Sequence, residues 1–294
     1  MPVVFLTTPT VDCGNHVQAW RSFAPAERLV FNHRGIRVDW KIAKMVRDYE
    51  PTLVFYIGAN QGPFCLKPDT FQQIREFVPT INLCSDAADK PWHGTLRHYR
   101  ERKCFDLQVG LDGHRSDNVD LATLTPVDPR PYEGKGPEKD IRCGFSGGIG
   151  RLSGRSDVIY ALAAFGHLAT RQGARQGGYE DHVKFIRRCR MILNTSWTGT
   201  GLEHHVKGRV VEAGWAKCCL LESAGSPIGD WFPKDCYFIW RNAQEAADII
   251  MDASDSEIDS RARRLSDEVR TRFRPEMIYG EILRQANVRD PYTI

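Results

Sequence analysis

The stretch Asp39-Trp40-Lys41-Ile42-Ala43-Lys44-Met45-Val46-Arg47-Asp48-Tyr49-Glu50-Pro51-Thr52-Leu53-Val54-Phe55-Tyr56-Ile57 changes its hydrophobic period once, and that change decides the fold. As far as Tyr49 the apolar residues recur at helical spacing. Trp40, Ile42, Ala43, Val46 and Tyr49 form the expected buried stripe, and Asp39 is placed to cap the helix. Pro51 ends it, because proline cannot donate the next backbone hydrogen bond. The run 53–57 that follows is apolar and rich in β-branched and aromatic residues, the signature of a buried strand. A helix passing through a short turn into such a strand is half of a βαβ unit, whose strands run parallel beneath covering helices.

Outward from this unit the alternation continues. Strands are expected at 3–6, 28–31, 80–84 and 106–111, with helices between several of them, so the first lobe reads as Rossmann-like. Residues 128–139 contain three prolines, two glycines and alternating charge without an apolar face, the composition of a linker. Beyond it the pattern predicts strands at 141–146, 168–170, 191–195, 218–222 and 237–240. Helices are expected at 157–165, 179–187, 206–216, 243–253 and 256–273. The reading is α/β, with two doubly wound domains: 1–127, a linker at 128–139, then 140–274. A last helix near 276–286, within 275–294, is expected to pack back on the first domain.

Composition agrees with two domains of about 140 residues each. Of 294 residues 41% are hydrophobic and 26% charged, which excludes a disordered or collagen-like chain. The formal charge of +3 demands no nucleic-acid partner. Nine cysteines, an odd number with no C-x-x-C pair, form neither a disulfide framework nor a zinc site, so a reduced protein with buried thiols is expected and no metal is implied. The adjacent His204 and His205 would diverge on a helix and do not change that expectation. No apolar run is long enough to span a membrane, and 2–6 is too short, with no basic flank, to act as a signal peptide. A cytoplasmic protein is expected.

The segment His204-His205-Val206-Lys207-Gly208-Arg209-Val210-Val211-Glu212 carries the clearest chemistry. Two cations and a glycine at the start of a predicted helix meet unpaired backbone N–H groups and the positive end of the helix dipole, an arrangement that suits a diphosphate. Glu212, close by, is a carboxylate able to accept both hydroxyls of a ribose. The alternative is an amphipathic helix whose Lys, Arg and Glu form a solvated ion-pair face. A second segment, Cys143-Gly144-Phe145-Ser146-Gly147-Gly148-Ile149-Gly150-Arg151-Leu152-Ser153-Gly154-Arg155, follows a strand and precedes a helix. Its glycines, Gly147 among them, allow close approach of backbone to phosphate, and Arg151 or Arg155 suits the oxygens. The spacing is neither that of a dinucleotide fingerprint nor that of an ATPase P-loop.

Residues 140–284, about half the chain, resemble the C-terminal lobe of GT-B glycosyltransferases of the group 1 type, nearest the subgroup similar to spore-maturation glycosyltransferases. The resemblance is carried by Phe145-Ser146-Gly147 with Arg151 or Arg155, by Tyr179 through Arg190-Met191-Ile192-Leu193-Asn194, by His205-Val206-Lys207-Gly208-Arg209-Val210-Val211-Glu212, by Leu220-Leu221-Glu222, and by Trp231-Phe232 before the strand at 237–239. It implies a GT-B fold with a nucleoside-diphosphate sugar held in the second domain, Lys207 and Arg209 at the diphosphate and Glu212 at the ribose, with Gly147, Arg151, Arg155 and Asn194 around the nucleotide. The wider group carries Glu-x7-Glu; counting back from Glu212 its first position is His204, with Glu203 one residue out of register. His204 is therefore the candidate beside the transferred sugar.

The resemblance assigns the acceptor to the first domain. Ile81 through Asp89, followed by Trp92, resembles the family's acidic segment after a strand, with Phe105-Asp106-Leu107 and Gly110-Leu111-Asp112 as the next strand. Asp86 or Asp89 would serve as general base or orient an acceptor hydroxyl; a helix N-cap explains either equally. His16 follows the first strand, where several GT-B enzymes use a loop imidazole, and is the second catalytic candidate beside a plain helix-start histidine. The activity implied is metal-independent glycosyl transfer with no cofactor, from a nucleoside-diphosphate sugar to a hydroxyl on a glycan, small molecule, protein or nucleic acid. The alternatives are a non-catalytic nucleotide or sugar-phosphate binder and a GT-B nucleotide-sugar epimerase.

Overall fold

The computed structural model describes residues 3–8, 16–30, 39–57, 66–149, 155–172 and 178–288. The chain divides into two compact units, 1–128 together with 275–294, and 129–274. In the first, β1 (Val3–Thr7), α1 (His16–Arg21), β2 (Ala26–Val30), α2 (Asp39–Asp48), β3 (Leu53–Ile57), α3 (Pro68–Arg75), β4 (Thr80–Cys84), α4 (Lys90–Glu101), β5 (Leu107–Gly110) and β6 (Leu121–Ala122) follow in order. The second holds β7 (Ile141–Gly147), α5 (Arg155–Ala164), β8 (Ala169–Gln172), α6 (Gly178–Arg188), β9 (Cys189–Leu193), α7 (Gly208–Trp215), β10 (Cys219–Ser223), β11 (Tyr237–Trp240), α8 (Ala243–Asp252) and α9 (Asp255–Arg272). The last helix, α10 (Pro275–Gln285), belongs to the first unit.

The sheets are ordered β2-β1-β3-β4-β5-β6 and β11-β10-β9-β7-β8. All their strand pairs are parallel. Counted from the start of each unit, both have the order 2-1-3-4-5, and the first adds a sixth strand at its edge. In such sheets the order reverses between strands one and three, leaving a crevice outside their carboxyl ends where ligands bind. Here those ends are Thr7 and Ile57 in the first unit, Gly147 and Leu193 in the second.

Strands β1, β3 and β4 are buried at every residue, as covered parallel strands must be. Phe5 stacks on Phe55 at 4.9 Å and meets Trp20 and Tyr279 edge-on. Tyr279 reaches this cluster from α10, and its hydroxyl donates to the His16 carbonyl at 3.0 Å. In the second unit α7 packs on α9 through Gly214. A Cβ there would overlap Val269 Cγ2 and lie 2.8 Å from Val269 Cβ and 3.2 Å from the Leu265 carbonyl oxygen. Gly214→Ala is expected to destabilise this unit by about 1–2 kcal/mol, overpacking outweighing alanine's better helix propensity. A urea midpoint equal to or above wild type would contradict the tight approach.

Three expectations are corrected. Trp40 and Tyr49 are 66% and 43% exposed, so the buried face of α2 is Ile42, Ala43 and Val46 alone. The helix expected at 206–216 begins at Gly208; Lys207 is its extended N-cap, with φ −79° and ψ 151°. The strand expected at 28–31 starts earlier, at Ala26, and Phe31 lies outside the described residues. The seven described cysteines are buried and unbridged; Cys13 and Cys65 lie outside the described residues. Arginines near the surface are ion-paired: Arg188 at the end of α6 with Asp140, Arg190 on β9 with Asp259 at 3.0 Å, and Arg261 on α9 with Glu257 at 3.1 Å.

Candidate functional site

At the switch point of the second unit the end of β7 and the residue after β9 face the start of α7. Arg209, in the first turn of α7, donates from Nη1 to Asn194 Oδ1 at 2.8 Å and lies over the Phe145 ring at 4.9 Å. Gly147 makes room for it. With φ at +153°, Gly147 has a conformation side chains avoid, and a Cβ there would overlap Arg209 Nη2. Arg209 Nε is buried and has no hydrogen-bond partner among the described residues. Burial pushes the Arg209 guanidinium down to about 10, with Arg155 adding to the fall and Glu212 and Glu222 opposing it. It remains cationic at neutral pH: a fixed, partly desolvated donor with capacity to spare.

Glu212 lies one turn further along α7, its side chain only 13% exposed, so the solvated-face reading of this helix does not describe the molecule. His182 Nε2 donates to Glu212 Oε1 at 3.0 Å, and the other ring nitrogen of His182 bonds Ser146 Oγ at 2.7 Å. Burial pushes the Glu212 carboxyl up, but His182, Arg209 and the Tyr179 hydroxyl together outweigh it and hold the group below the usual carboxylate range. Tyr179 also bonds Tyr132 through their hydroxyls at 3.2 Å. Glu212 is thus an acceptor charged at neutral pH and held in one orientation.

Asn194 Nδ2 donates to Glu222 Oε2 at 2.7 Å, and the Ser223 N–H donates to Glu222 Oε1 at 3.1 Å. Glu222 is fully buried at the end of β10, and desolvation raises its carboxyl to about 7 against the pull of Asn194, Ser223, Lys207 and Arg209. On the loop before α7, His204 pairs with Trp197 in an isolated antiparallel bridge, the two rings meeting at 5.0 Å. Gly225, at φ +85°, passes directly beneath the His204 ring. Burial lowers the His204 imidazole, with Glu203 opposing and His205 reinforcing. Lys207 Nζ bonds His205 Nε2 beside the helix mouth. Arg155, at the start of α5, donates to the Trp197 carbonyl at 2.9 Å and the Gly148 carbonyl at 3.1 Å. Arg151 lies outside the described residues.

Of the residues singled out in the sequence, Gly147, Asn194, Arg209 and Glu212 come together here, with Lys207 at the helix N-cap. Sequence reasoning gave no role to His182, Ser146 and Tyr179, which lie on other elements, or to Glu222, although Ser146, Tyr179 and Glu222 stand in the motifs it quoted. Glu222 did carry a signal, being the one charge in the apolar run 218–222.

The first unit has its own polar cluster. His16 opens α1 almost fully buried, and its Nε2 lies 3.3 Å from Ser85 Oγ, just past β4. Burial drives its imidazole down to about 4, so it is uncharged at neutral pH. Asp89 stands at the N-cap of α4, but its side chain does not make the capping bond. The loop 85–89 is fixed instead by Asp112, whose carboxylate accepts the Ala88 N–H at 2.8 Å. Asp86 is half-buried on that loop.

No group of three or more metal-ligating side chains occurs among the described residues, and no described helix is long and apolar enough to cross a membrane. No protein-family model matches the sequence, and no curated protein does. Solved structures do. Anabaena HepE in complex with UDP-glucose matches over 98% of this chain and 99% of its own, with TM-score 0.68 at 10% identity. A glycosyltransferase from Rickettsia africae matches over 97% and 98%, with TM-score 0.63 at 9% identity. AviGT4, a glycosyltransferase involved in avilamycin A biosynthesis, matches over 98% and 97%, with TM-score 0.57 at 13% identity. With its two parallel sheets of matching strand order, the chain has the fold of the GT-B glycosyltransferases.

Proposed function

We propose that the chain is a glycosyltransferase that moves a sugar from a nucleoside-diphosphate sugar to a hydroxyl acceptor, with the donor in unit 129–274 and the acceptor in unit 1–128. The observation that carries this is Arg209: a desolvated, stacked guanidinium with an unused donor, at the switch point of the second sheet and one residue inside a helix N-terminus. Glycosyl transfer leaves a diphosphate whose negative charge grows in the transition state. Fixed cations and helix N–H groups lower that barrier without a metal. Lys207 supplies the second charge. Asn194 and Gly147 position Arg209, and Glu212 takes the ribose. Arg151 and Arg155 belong to the same phosphate-side reading, and the resemblance of residues 140–284 to the spore-maturation-like subgroup supports it. His16, Asp86 and Asp89 are the acceptor-side candidates for general base, and His204 faces the transferred sugar.

Titration with UDP, GDP and ADP followed by thermal shift tests the binding half, since a ligand held only by the native state raises the melting temperature. UDP release from UDP-glucose tests turnover. Glu212 provides a sharper check: wild type is expected to bind UDP about tenfold more tightly than 2′-deoxy-UDP, and Glu212→Ala to erase that preference, because one charge-assisted hydrogen bond is removed in either case. Equal discrimination in the variant would remove Glu212 from the ribose. A second reading, a binder that does not turn its ligand over, is favoured by one residue: an imidazole at 204 where the wider group carries a carboxylate. Such a protein would bind UDP-glucose and release no UDP.

A further inference from the structure

Glu222 is out of reach of water, yet its hydrogen bonds run in both directions through the site. On one side Asn194 bridges it to Arg209, at 2.7 and 2.8 Å. On the other, Ser223 Oγ lies 3.4 Å from Glu222 Oε1, Ser196 Oγ lies 2.8 Å from Ser223 Oγ, and His204 Nδ1 lies 2.6 Å from Ser196 Oγ. Asn194, Ser196, Ser223 and Glu222 are all buried, and His204, half-buried, is the member of this chain nearest solvent. We propose that Glu222 is a positioning residue that sets, through Ser223 and Ser196, which ring nitrogen of His204 carries its proton. The role assigned to His204 at the sugar end rests on the glycosyltransferase reading; the hydrogen-bond chain does not.

Donor counting fixes the coupling. Each hydroxyl has one hydrogen, so the chain points one way at a time. When Glu222 is ionised it accepts from Ser223, Ser223 accepts from Ser196, and Ser196 accepts from His204 Nδ1–H, leaving Nε2 a bare lone pair. When Glu222 is protonated it donates to Ser223, the order reverses, and His204 Nδ1 becomes the acceptor, so the neutral ring carries its hydrogen on Nε2. The exchange balances: the Glu222 proton passes along two hydroxyls to Nδ1, and Nε2 releases one proton to water. His204 is neutral near pH 7 because burial lowers its imidazole, as tautomer control requires. The charged and titratable groups near Glu222 are Lys207 and Arg209 at the start of α7 and Tyr237 on β11; those beside His204 are Glu203 and His205. With desolvation holding the Glu222 carboxyl near neutrality, the chain reverses within the working pH range. A donor sugar hydroxyl would meet a lone pair above that point and an N–H below it.

The test is long-range proton–nitrogen NMR of the histidine rings of the ligand-free full chain between about pH 5.5 and 8.5, with the His204 signals assigned by their loss in His204→Gln. In wild type the shifts of Nδ1 and Nε2 are expected to exchange their protonated and unprotonated positions near pH 7. Glu222→Gln, which does not titrate, is expected to abolish the exchange, and Ser196→Ala to abolish it with Glu222 intact. A single tautomer throughout in wild type, or an exchange that persists in either variant, overturns the proposal. Absence of UDP binding sinks the functional reading and leaves this measurement standing.

Discussion

Arg209→Ala is expected to lower donor turnover by about 100- to 1000-fold, the loss typical when one fixed donor to a developing negative charge is removed from a dry site. The wild-type geometry argues for the upper part of that range. The guanidinium is pinned by the Asn194 hydrogen bond and the Phe145 ring and has room only because Gly147 has no side chain, so in the proposed reaction no reorganisation would accompany the growth of charge on a leaving diphosphate. UDP affinity should fall less than turnover, by about tenfold, because a ground-state charge-assisted bond is worth less than the same bond to a transition state. Arg209→Lys should not restore the rate: an ammonium keeps the charge but cannot stack on Phe145, reach Asn194 and hold a diphosphate oxygen at once. Gly147→Ala should reproduce much of the loss by displacing the guanidinium. Wild-type turnover in Arg209→Ala, with UDP still bound, would place the diphosphate elsewhere.

Which parts of this were legible in the sequence follows from what kind of information each needs. The strand at Leu53–Ile57 and its neighbours are local: an apolar run of that length has one good use in an α/β chain, and the parallel sheets follow. The face of α2 was misjudged at its edges. At about 100° per residue, Ile42, Ala43 and Val46 cluster on one side, while Trp40 falls about 110° and Tyr49 about 70° from their centre. Large aromatics extend a hydrophobic pattern in sequence without being inside it in space. The site divides the same way. Lys207, Arg209 and Glu212 share one helix start and could be found by spacing, whereas His182 reaches Glu212 from 30 residues away, and Ser146 reaches His182 from 36, by way of sheet order. Glu222 needed one further step, since its meaning lies in what surrounds it. A carboxylate ending an apolar strand is visible in the sequence, but its buried hydrogen-bond chain is not.

Glu222→Gln is expected to stabilise the protein in a pH-dependent way, and the direction follows from linkage. The folded-state carboxyl titrates at about 7 and the ordinary value is 4.5. Below the lower value both states hold the proton and the group is neutral in its effect. As pH rises from 4.5 towards 7 the unfolded chain releases the proton while the folded one keeps it, so stability falls, by about 3 kcal/mol in total, and is flat again above. Glutamine keeps the Asn194 contact and never titrates. Its advantage over glutamate should therefore grow by about 3 kcal/mol between about pH 4.5 and pH 8. Other titrating groups, such as the low-lying Glu212 carboxyl, contribute to both proteins alike and cancel in that difference. Urea unfolding of the two proteins at both pH values measures it. A constant gap would mean that the folded-state carboxyl titrates at its ordinary value, its desolvation offset by Arg209 and Lys207, and a gap that narrows with pH would mean that the buried carboxylate is the preferred form. Burial against the Asn194 amide, the Ser223 N–H and the more distant Ser223 hydroxyl argues for the widening gap, because three neutral donors replace too little of the water a carboxylate loses.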